Sequence, residues 1–210
     1  DYGNNAAYMG SLLGVIYKTN QNARVQISTS GIENFNIIHA AWTLWRSSRL
    51  YPPGTIFLAI TNPGGTENNV RKVVVVTKND LIFIGHDNGI FDMVVQNLGH
   101  KKTYVISSPE FTPVEIKDLF GGVDIFGPTA AKISLGCQME KIGPIDMEYR
   151  MKLPGVVHQV QNNKVSGSVM DIDNFANVTL NVSDDDLEKI NKRVTNTINI
   201  KFNGKKVSMP

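Results

Sequence analysis

Five polar loops rich in glycine or asparagine are the places in this sequence where side chains could do chemistry. Each lies beside an apolar stretch, and loops at strand ends carry many of the binding groups in proteins. Taken singly, each is also typical of an ordinary turn, because glycine, asparagine and aspartate are turn residues. The loops are Asp1-Tyr2-Gly3-Asn4-Asn5, Asn62-Pro63-Gly64-Gly65-Thr66, Gly85-His86-Asp87-Asn88-Gly89, Gly121-Gly122-Val123-Asp124 and Asp171-Ile172-Asp173-Asn174-Phe175-Ala176-Asn177.

The sequence motifs of several common enzyme and ligand-binding classes are absent from this sequence. The histidines at positions 39, 86, 100 and 158 have no metal-ligand spacing, so each is predicted to be a surface or core residue. The sequence has no glycine motif for nucleoside triphosphates or dinucleotides and no nucleophile elbow. We therefore expect neither a metal nor an organic cofactor.

Composition and charge narrow the class of protein. The chain has 210 residues, of which 41% are hydrophobic, and this balance excludes a largely disordered chain. With 21 basic and 19 acidic residues the net charge is only +2, which predicts no basic face for nucleic acid. No apolar run approaches the roughly 18 residues that span a bilayer. The single Cys137 excludes an internal disulfide, and we predict a cytoplasmic protein that binds no membrane.

The elements that must position these loops alternate between helix and strand over the first two thirds of the chain. Apolar spacing predicts helices that begin near Asn4 or Asn5 and near Asn34. Strands are predicted at Val25 to Ile27, Thr55 to Thr61, Val73 to Thr77, Leu81 to Gly85 and Thr103 to Ser107. This pattern predicts an α/β domain over residues 1–150 with a mostly parallel central sheet.

A second, smaller domain is predicted over residues 155–210, after a linker at Leu153-Pro154-Gly155. Its pattern is mostly that of strands. Ser183 to Asp186 resembles a capping box that opens a short helix, and Asn203-Gly204 is the strongest hairpin signal in the chain.

Five segments resemble the motifs of one known family. Asp1–Ile16 resembles D-F-G-x-x-D-x-Y-V-G-x-x-K-G-V-I, and Tyr51–Gly64 resembles F-P-x-G-T-[IV]-x-x-x-V-D-P-G. Gly85–Ile90 is similar to G-P-D-N-G-L, Leu119–Ala131 to T-F-H-G-R-D-I-F-x-P-x-A-A, and Ile172–Asn177 to I-D-x-F-G-N. In this order the motifs are those of the S-adenosylmethionine hydroxide adenosyltransferases, the family that includes the fluorinase and chlorinase.

The resemblance implies an α/β N-terminal domain and a small β-barrel-like C-terminal domain, which we expect to be incomplete. It also implies a homotrimer whose sites lie between subunits and bind S-adenosylmethionine or adenosine. In the family's reaction a nucleophile, usually water, attacks C5′ of S-adenosylmethionine and methionine leaves from the sulfonium. The protein then mainly orients and desolvates the nucleophile.

The catalytic positions depart from the family pattern. The family's hydrolases place an Asp, an Arg and a His around the attacking water. Here Asn62 stands at the Asp position and Gly121 at the His position, and Arg71 resembles the Arg only with a shifted gap. Asn62 can hydrogen-bond but is no base near neutral pH. Asn62 and Arg71 are the candidate catalytic residues, with Thr66 as a candidate that helps to position water or ligand.

The residues at the family's ligand-binding positions resemble the family pattern more closely than those at its catalytic positions. Asp1 resembles the family Asp that grips both ribose hydroxyls, Phe35 the aromatic residue against adenine, and Phe120 the second aromatic of the pocket. Asp173 and Asn177 resemble the polar residues of the C-terminal domain that contact the amino acid and the base. Each also has an ordinary interpretation, the aromatics as core residues and the polar pair as turn residues.

Three functions therefore compete. The first is hydrolysis of S-adenosylmethionine through a degenerate Asp-Arg-His water site, and it is the reaction that we predict. The second is a catalytically silent relative that binds S-adenosylmethionine or adenosine, which the missing base favours because a positioned base contributes ~10²–10⁴-fold to rate. The third is a structural trimer without ligand, which the retained pocket residues disfavour. No halide pocket is indicated by Gly121-Gly122.

Overall fold

The structure is a computed structural model of the chain, and it describes residues 1–3, 6–61, 70–112, 120–149, 151–161, 163–190, 198–202 and 205–209. The chain forms two compact units, Asp1–Gly155 and Val156–Pro210. The division follows the last residue of the predicted linker.

A five-stranded sheet lies at the centre of the first unit. Val73, Val74 and Val75 are fully buried, as expected for a strand that is covered on both faces. The strands are β1 (Ile56–Ala59), β2 (Lys72–Thr77), β3 (Ile82–His86), β4 (His100–Val105) and β5 (Ile145–Asp146), in the spatial order β1-β3-β2-β4-β5.

The strand directions correct one expectation. The α/β class is confirmed, but among the described strands only β1 and β3 run parallel. The pairs β2–β3, β2–β4 and β4–β5 are antiparallel, so the sheet is mixed rather than mostly parallel. The reason is local, because Lys78-Asn79-Asp80 joins β2 to β3 as a tight turn, and such a turn connects only antiparallel neighbours.

Helices pack around this sheet. Leu12 and Ile16 of the first helix are buried against Ala131 of the fourth. The second helix is capped by Asn36 rather than by Asn34, since Asn36 Oδ1 accepts a hydrogen bond of 3.0 Å from His39 N. The helices are α1 (Ala6–Thr19), α2 (Ile37–Ser48), α3 (Asp92–Leu98) and α4 (Gly127–Ser134), with a π-helical turn at Gly122–Phe126 and a 3-10 turn at Met139–Lys141.

The strand predicted at Val25 to Ile27 is not formed. The segment has no regular secondary structure, and both Val25 and Ile27 are exposed. It borders the same cavity as β1, so the two backbones flank a gap instead of pairing. An apolar alternation becomes a strand only where a neighbouring strand accepts its hydrogen bonds.

The second unit contains three two-stranded antiparallel sheets among its described residues. They are formed by β6 (His158–Gln161) with β7 (Lys164–Gly167), β8 (Val169–Ile172) with β9 (Val178–Leu180), and β10 (Ile198–Phe202) with β11 (Lys205–Met209). The pairing of Phe202 with Lys205 confirms the last hairpin, although its Asn203-Gly204 turn lies outside the described residues. Closure into a barrel stays a prediction.

The capping box of the second unit is confirmed. Ser183 Oγ accepts a hydrogen bond from Asp186 N, and Ser183 N donates to Asp186 Oδ2, at the start of α5 (Asp184–Ile190). Asp186 also accepts a hydrogen bond of 2.9 Å from His158 Nε2. The hydrogen bonds from Ser183 lower the pKa of Asp186, which is the direction that a capped carboxylate should take.

Candidate functional site

Three of the five polar loops meet at one end of the sheet, where the parallel strands β1 and β3 finish. Asp1 N donates a hydrogen bond of 2.8 Å to the carbonyl of Ile60, just beyond β1. Gly122 lies against Tyr2 and Ile60, and Gly121 lies against His86 at the end of β3. The candidate site is therefore built from the first, third and fourth loops. The second loop, with Asn62 and Thr66, lies outside the described residues.

Asp1 and Phe35, two of the predicted ligand-binding residues, are brought together. Phe35 N donates a hydrogen bond of 3.3 Å to Asp1 Oδ2. Phe35 has a φ of +64°, a left-handed conformation that is rare outside glycine and that concentrates at functional sites. The residue is 57% exposed, so it is not a core aromatic residue. The arrangement leaves the ring open to a ligand beside the Asp1 carboxylate.

Phe120, the second predicted aromatic residue, lies in a cluster with Tyr2 and Tyr8. The ring centroid of Phe120 is 5.6 Å from that of Tyr2 and 5.0 Å from that of Tyr8, and both pairs are stacked. Phe120 N donates a hydrogen bond of 2.6 Å to Asp124 Oδ2, which fixes the backbone at the start of the glycine pair. Tyr8 and Phe120 remain partly exposed, so the cluster presents an aromatic surface that suits a planar base.

Gly121 and Gly122 allow two side chains to approach the backbone closely. A Cβ at Gly122 would overlap the hydroxyl oxygen of Tyr2, so only glycine leaves room for that ring. A Cβ at Gly121 would instead lie 3.8 Å from Cε1 and 3.9 Å from Nε2 of His86, at ordinary van der Waals distance. The position of the family histidine is thus bordered by a different histidine.

His86 is a buried imidazole at the end of β3. It is 7% exposed and packs edge-on against Phe126, with 5.0 Å between ring centroids. Its Nδ1 has no hydrogen-bond partner among the described residues. Burial, and then the positive charge of Lys72, lower the pKa of His86 to about 4, so the ring is neutral at pH 7.

Acidification should destabilise the protein through His86. Its pKa falls from about 6.5 in the unfolded chain to about 4 in the folded one, so the unfolded state binds more protons between these values and stability is lost as pH falls through them. We expect this group to remove about 2 kcal/mol of the free energy of unfolding between pH 7.5 and pH 5. Denaturant unfolding of the wild type and of His86→Gln at both pH values measures it. An equal pH dependence in the two proteins would contradict the prediction.

Arg71, a predicted catalytic residue, is held by two carboxylates. Its Nε and Nη2 atoms donate hydrogen bonds of 2.9 and 2.5 Å to Asp87 Oδ2, and its Nη1 atom donates one of 3.4 Å to Asp146 Oδ2. The hydrogen bond with Asp87 raises the pKa of the guanidinium. The Asp87 side chain is 1% exposed, whereas that of Arg71 is 43% exposed. The pair closes the third loop onto the start of β2, and part of the guanidinium still faces solvent.

Asp173 and Asn177, the predicted polar contacts of the second unit, bind each other. Asp173 Oδ1 accepts hydrogen bonds from the backbone nitrogens of Phe175 and Asn177, and Asp173 Oδ2 accepts one of 2.8 Å from Asn177 Nδ2. Ala176 takes a positive φ within this turn. The hydrogen bonds show that both residues shape the turn, and a role in binding stays a prediction.

A cavity of about 470 Å³ adjoins the candidate site in the first unit. It is bordered by α1, by the segment that contains Val25 and Ile27, and by β1, and its walls are mainly apolar. Asp1, Tyr2 and Ile60 border both the cavity and the candidate site, whereas Phe35, Arg71 and Phe120 do not border the cavity. The candidate site therefore lies at the strand ends, next to this cavity.

The site combines an aromatic surface, a carboxylate and a neutral imidazole, which can hold a nucleoside and accept a hydrogen bond from water. The sequence interpretation missed His86, Tyr2 and Asp87. The sequence signal for His86 was that it replaces the proline of the G-P-D-N-G-L motif, but its nearness to Gly121 appears only in the fold. No comparable signal links Asp87 to Arg71, because ion-pair partners come together only in the fold.

Two absences concern the part of the chain that the structure describes. No group of three histidine, cysteine or acidic residues there could hold a metal ion. No helix there is long and apolar enough to cross a membrane.

A family model described as the SAM hydroxide adenosyltransferase N-terminal domain matches residues 1–143. This range contains the first four loops and all the described residues that meet at the strand ends. The second unit lies beyond it.

Curated relatives match most of the chain at low identity. The (R)-S-adenosyl-L-methionine hydrolase of Methanocaldococcus jannaschii is 27% identical over 194 residues, which cover 89% of this chain and 66% of the relative. The enzyme of the same name from Salinispora arenicola is 26% identical, with 86% and 69% covered. The fluorinase of Actinopolyspora mzabensis is 24% identical, with 83% and 67% covered. The chain thus spans about two thirds of the length of these relatives.

Solved structures share the fold. An uncharacterized conserved protein from Thermotoga maritima superimposes with a TM-score of 0.84 at 30% identity, covering 99% of this chain and 79% of that one. A conserved hypothetical protein from Thermus thermophilus gives a TM-score of 0.72 at 22% identity, covering 99% and 76%. The second similarity concerns the fold alone.

Proposed function

The chain belongs to the SAM hydroxide adenosyltransferase family, and on that premise we propose that it hydrolyses S-adenosylmethionine to adenosine and methionine. The observation that carries the proposal is the hydrogen bond that joins Asp1 to Phe35. It brings a two-oxygen acceptor suited to the ribose hydroxyls next to an exposed ring suited to adenine. The homotrimer and the cytoplasmic location stay predictions.

The proposed reaction is a displacement at C5′. The water oxygen forms a bond to C5′ while the C5′–S bond breaks, and the bonding electron pair returns to sulfur. The sulfonium becomes the neutral thioether of methionine, the water oxygen becomes the 5′-hydroxyl of adenosine, and one proton leaves to a base or to solvent. Because methionine is a good leaving group, the chain's main tasks are to orient the two reactants and to exclude bulk water.

Binding without turnover is the second candidate function. Asn62 is neutral and Gly121 has no side chain, so neither family position can accept the proton. The binding residues Asp1, Phe35 and Phe120 are present regardless. A silent relative would bind S-adenosylmethionine or adenosine and release no product.

We expect adenosine to accumulate in proportion to protein when the chain is incubated with S-adenosylmethionine, and not with heat-treated protein. Chromatography measures it. Asp1→Asn should lower kcat/KM by about tenfold or more, because a hydrogen bond to a charged acceptor contributes about 1.5–3 kcal/mol. Asp185→Asn, at an exposed carboxylate of α5 in the second unit, is the matched control and should change nothing. A folded wild type that binds S-adenosylmethionine by calorimetry but releases no adenosine would establish the binding function instead.

A further inference from the structure

Position 121, where the family has a histidine, is a glycine in this chain, and the imidazole of His86 lies next to it. Gly121 begins the turn before α4, and the two atoms of His86 nearest to its missing side chain are Cε1 and Nε2, at 3.8 and 3.9 Å from the expected Cβ. His86 reaches this place from the end of β3, whereas the family histidine would come from position 121 itself. Two different elements thus lead to one location.

The orientation of the ring is fixed by its surroundings. Phe126 packs edge-on against it, and burial leaves only 7% of the residue exposed. His100 and His158 are engaged elsewhere, with hydrogen bonds of 2.9 Å to Thr103 and to Asp186. Nδ1 has no hydrogen-bond partner among the described residues, so no described group there dictates the tautomer, and the neutral ring can carry its proton on Nδ1 and leave Nε2 as the acceptor.

We propose that His86 is a catalytic residue of the hydrolysis, and that its imidazole supplies from β3 the proton acceptor that is missing at Gly121. The inference rests on the proposed function. Nε2 of the neutral ring accepts a hydrogen bond from the attacking water and takes its proton as the C5′–O bond forms. The imidazolium then releases the proton to solvent once adenosine has left.

Burial, and then the positive charge of Lys72, lower the pKa of His86, which makes the ring a weak base that stays neutral over a wide pH range. The charged groups on the surrounding elements are Lys72 of β2, the Arg71–Asp87 pair and Asp124 of the π-helical turn. A pKa of about 4 keeps the ring neutral down to about pH 5, at the cost of a weak base, since a general base works best near the working pH. The reaction catalysed by His86 should therefore have a flat pH profile above pH 5.

The test measures kcat, KM and the pH profile of adenosine release for the wild type, His86→Gln and the control His100→Gln. We expect His86→Gln to lower kcat at least tenfold with KM within twofold, and His100→Gln to change neither. His86→Asn gives a second neutral variant if His86→Gln fails to fold, as judged by circular dichroism.

A relocated histidine gives a readout that a structural role would not produce. Gly121 has right-handed backbone angles (φ −49°, ψ −39°) and ordinary van der Waals space for a Cβ, so the backbone and Cβ of Gly121→His are accommodated, and in the double variant His86→Gln vacates the place of the neighbouring imidazole. In the double variant His86→Gln with Gly121→His, kcat should recover at least threefold over His86→Gln. The acidic limb of its pH profile should move up toward 6.5, the usual pKa of an exposed imidazole.

The outcomes distinguish failure of the proposed hydrolysis from failure of the catalytic role of His86. A folded wild type that releases no adenosine overturns the hydrolysis and, with it, the role of His86. A wild type that releases adenosine while folded His86→Gln or His86→Asn keeps its kcat overturns the role of His86 alone and leaves the proposed function standing.

Discussion

Replacing Arg71 by methionine is expected to lower the free energy of unfolding by about 3 kcal/mol, the lower end of the range for breaking a buried ion pair. Arg71 donates two hydrogen bonds to Asp87 Oδ2 and is the cation paired with this carboxylate. The substitution would therefore leave a carboxylate that is 1% exposed without its counter-charge. The guanidinium is 43% exposed, so solvent already screens part of the pair, which is why the lower end applies.

Replacing Asp87 together with Arg71 identifies the cause of this loss of stability. In the double variant Arg71→Met with Asp87→Asn, the buried group is a neutral amide, and about half of the lost stability should return. Lys101→Met is the matched control, because its ion pair with Asp80 is exposed on both sides and should contribute less than about 1 kcal/mol. Denaturant unfolding measures all four proteins. Trp42 and Trp45, the two tryptophans of the chain, both lie in α2, so their fluorescence reports on the first unit.

The result also decides what Arg71 does. If Arg71→Met is no more destabilised than Lys101→Met, the ion pair with Asp87 carries little stability and the guanidinium is available for the catalytic role predicted from the sequence. If the loss is large, Arg71 is first a residue that holds the Gly85–Gly89 loop against β2. Adenosine release by Arg71→Lys, which keeps the charge but loses the fork of donors, then measures any additional catalytic role.

The elements of the fold were largely predictable because their signals are local. Apolar spacing located α2 and the buried run of β2, and the Ser183 capping box and the Asn203-Gly204 signal located α5 and the last hairpin. The short Lys78-Asn79-Asp80 turn indicated that β2 and β3 are antiparallel. The directions of the other strand pairs were not predictable, because a continuous apolar run is equally suited to parallel and antiparallel pairing. The Val25 to Ile27 segment failed for a related reason, since pairing depends on a neighbour that the segment itself does not encode.

The sequence could propose candidate site residues only where the family resemblance supplies a single position. Asp1, Phe35 and Phe120 are such candidates, and the structure brings Asp1 and Phe35 into contact, while their role in binding stays a prediction. His86 could not be linked to Gly121 from the sequence, because 35 positions separate them and only the fold joins the end of β3 to the turn before α4. When a side chain is absent from one element and another element supplies its chemical group, the sequence motif shows only the absence.

Asn62→Asp is expected to raise kcat for adenosine release by about 10- to 100-fold, because a hydrogen bond to a charged acceptor contributes about 1.5–3 kcal/mol. Asn62 stands where the family hydrolases have the Asp of their water site, and an amide cannot accept a proton near neutral pH. In the family that the chain resembles, the carboxylate at this motif position accepts a hydrogen bond from the attacking water, and a charged acceptor forms a stronger hydrogen bond than a neutral amide. Asn97→Asp adds the same charge on an exposed part of α3 and should leave the rate unchanged.

The dependence of that gain on histidine decides between two descriptions of the site. If His86 supplies the imidazole, Asn62→Asp alone should give most of the gain, and adding Gly121→His should change little, because residues that act as a unit do not contribute additively. If the site has simply lost its histidine, only the combination Asn62→Asp with Gly121→His should give the full rate. Calorimetry with S-adenosylmethionine checks that each variant still binds. Retained binding with no gain in either variant would mean that the chain is not a hydrolase that lost two side chains, and that its site is built for binding alone.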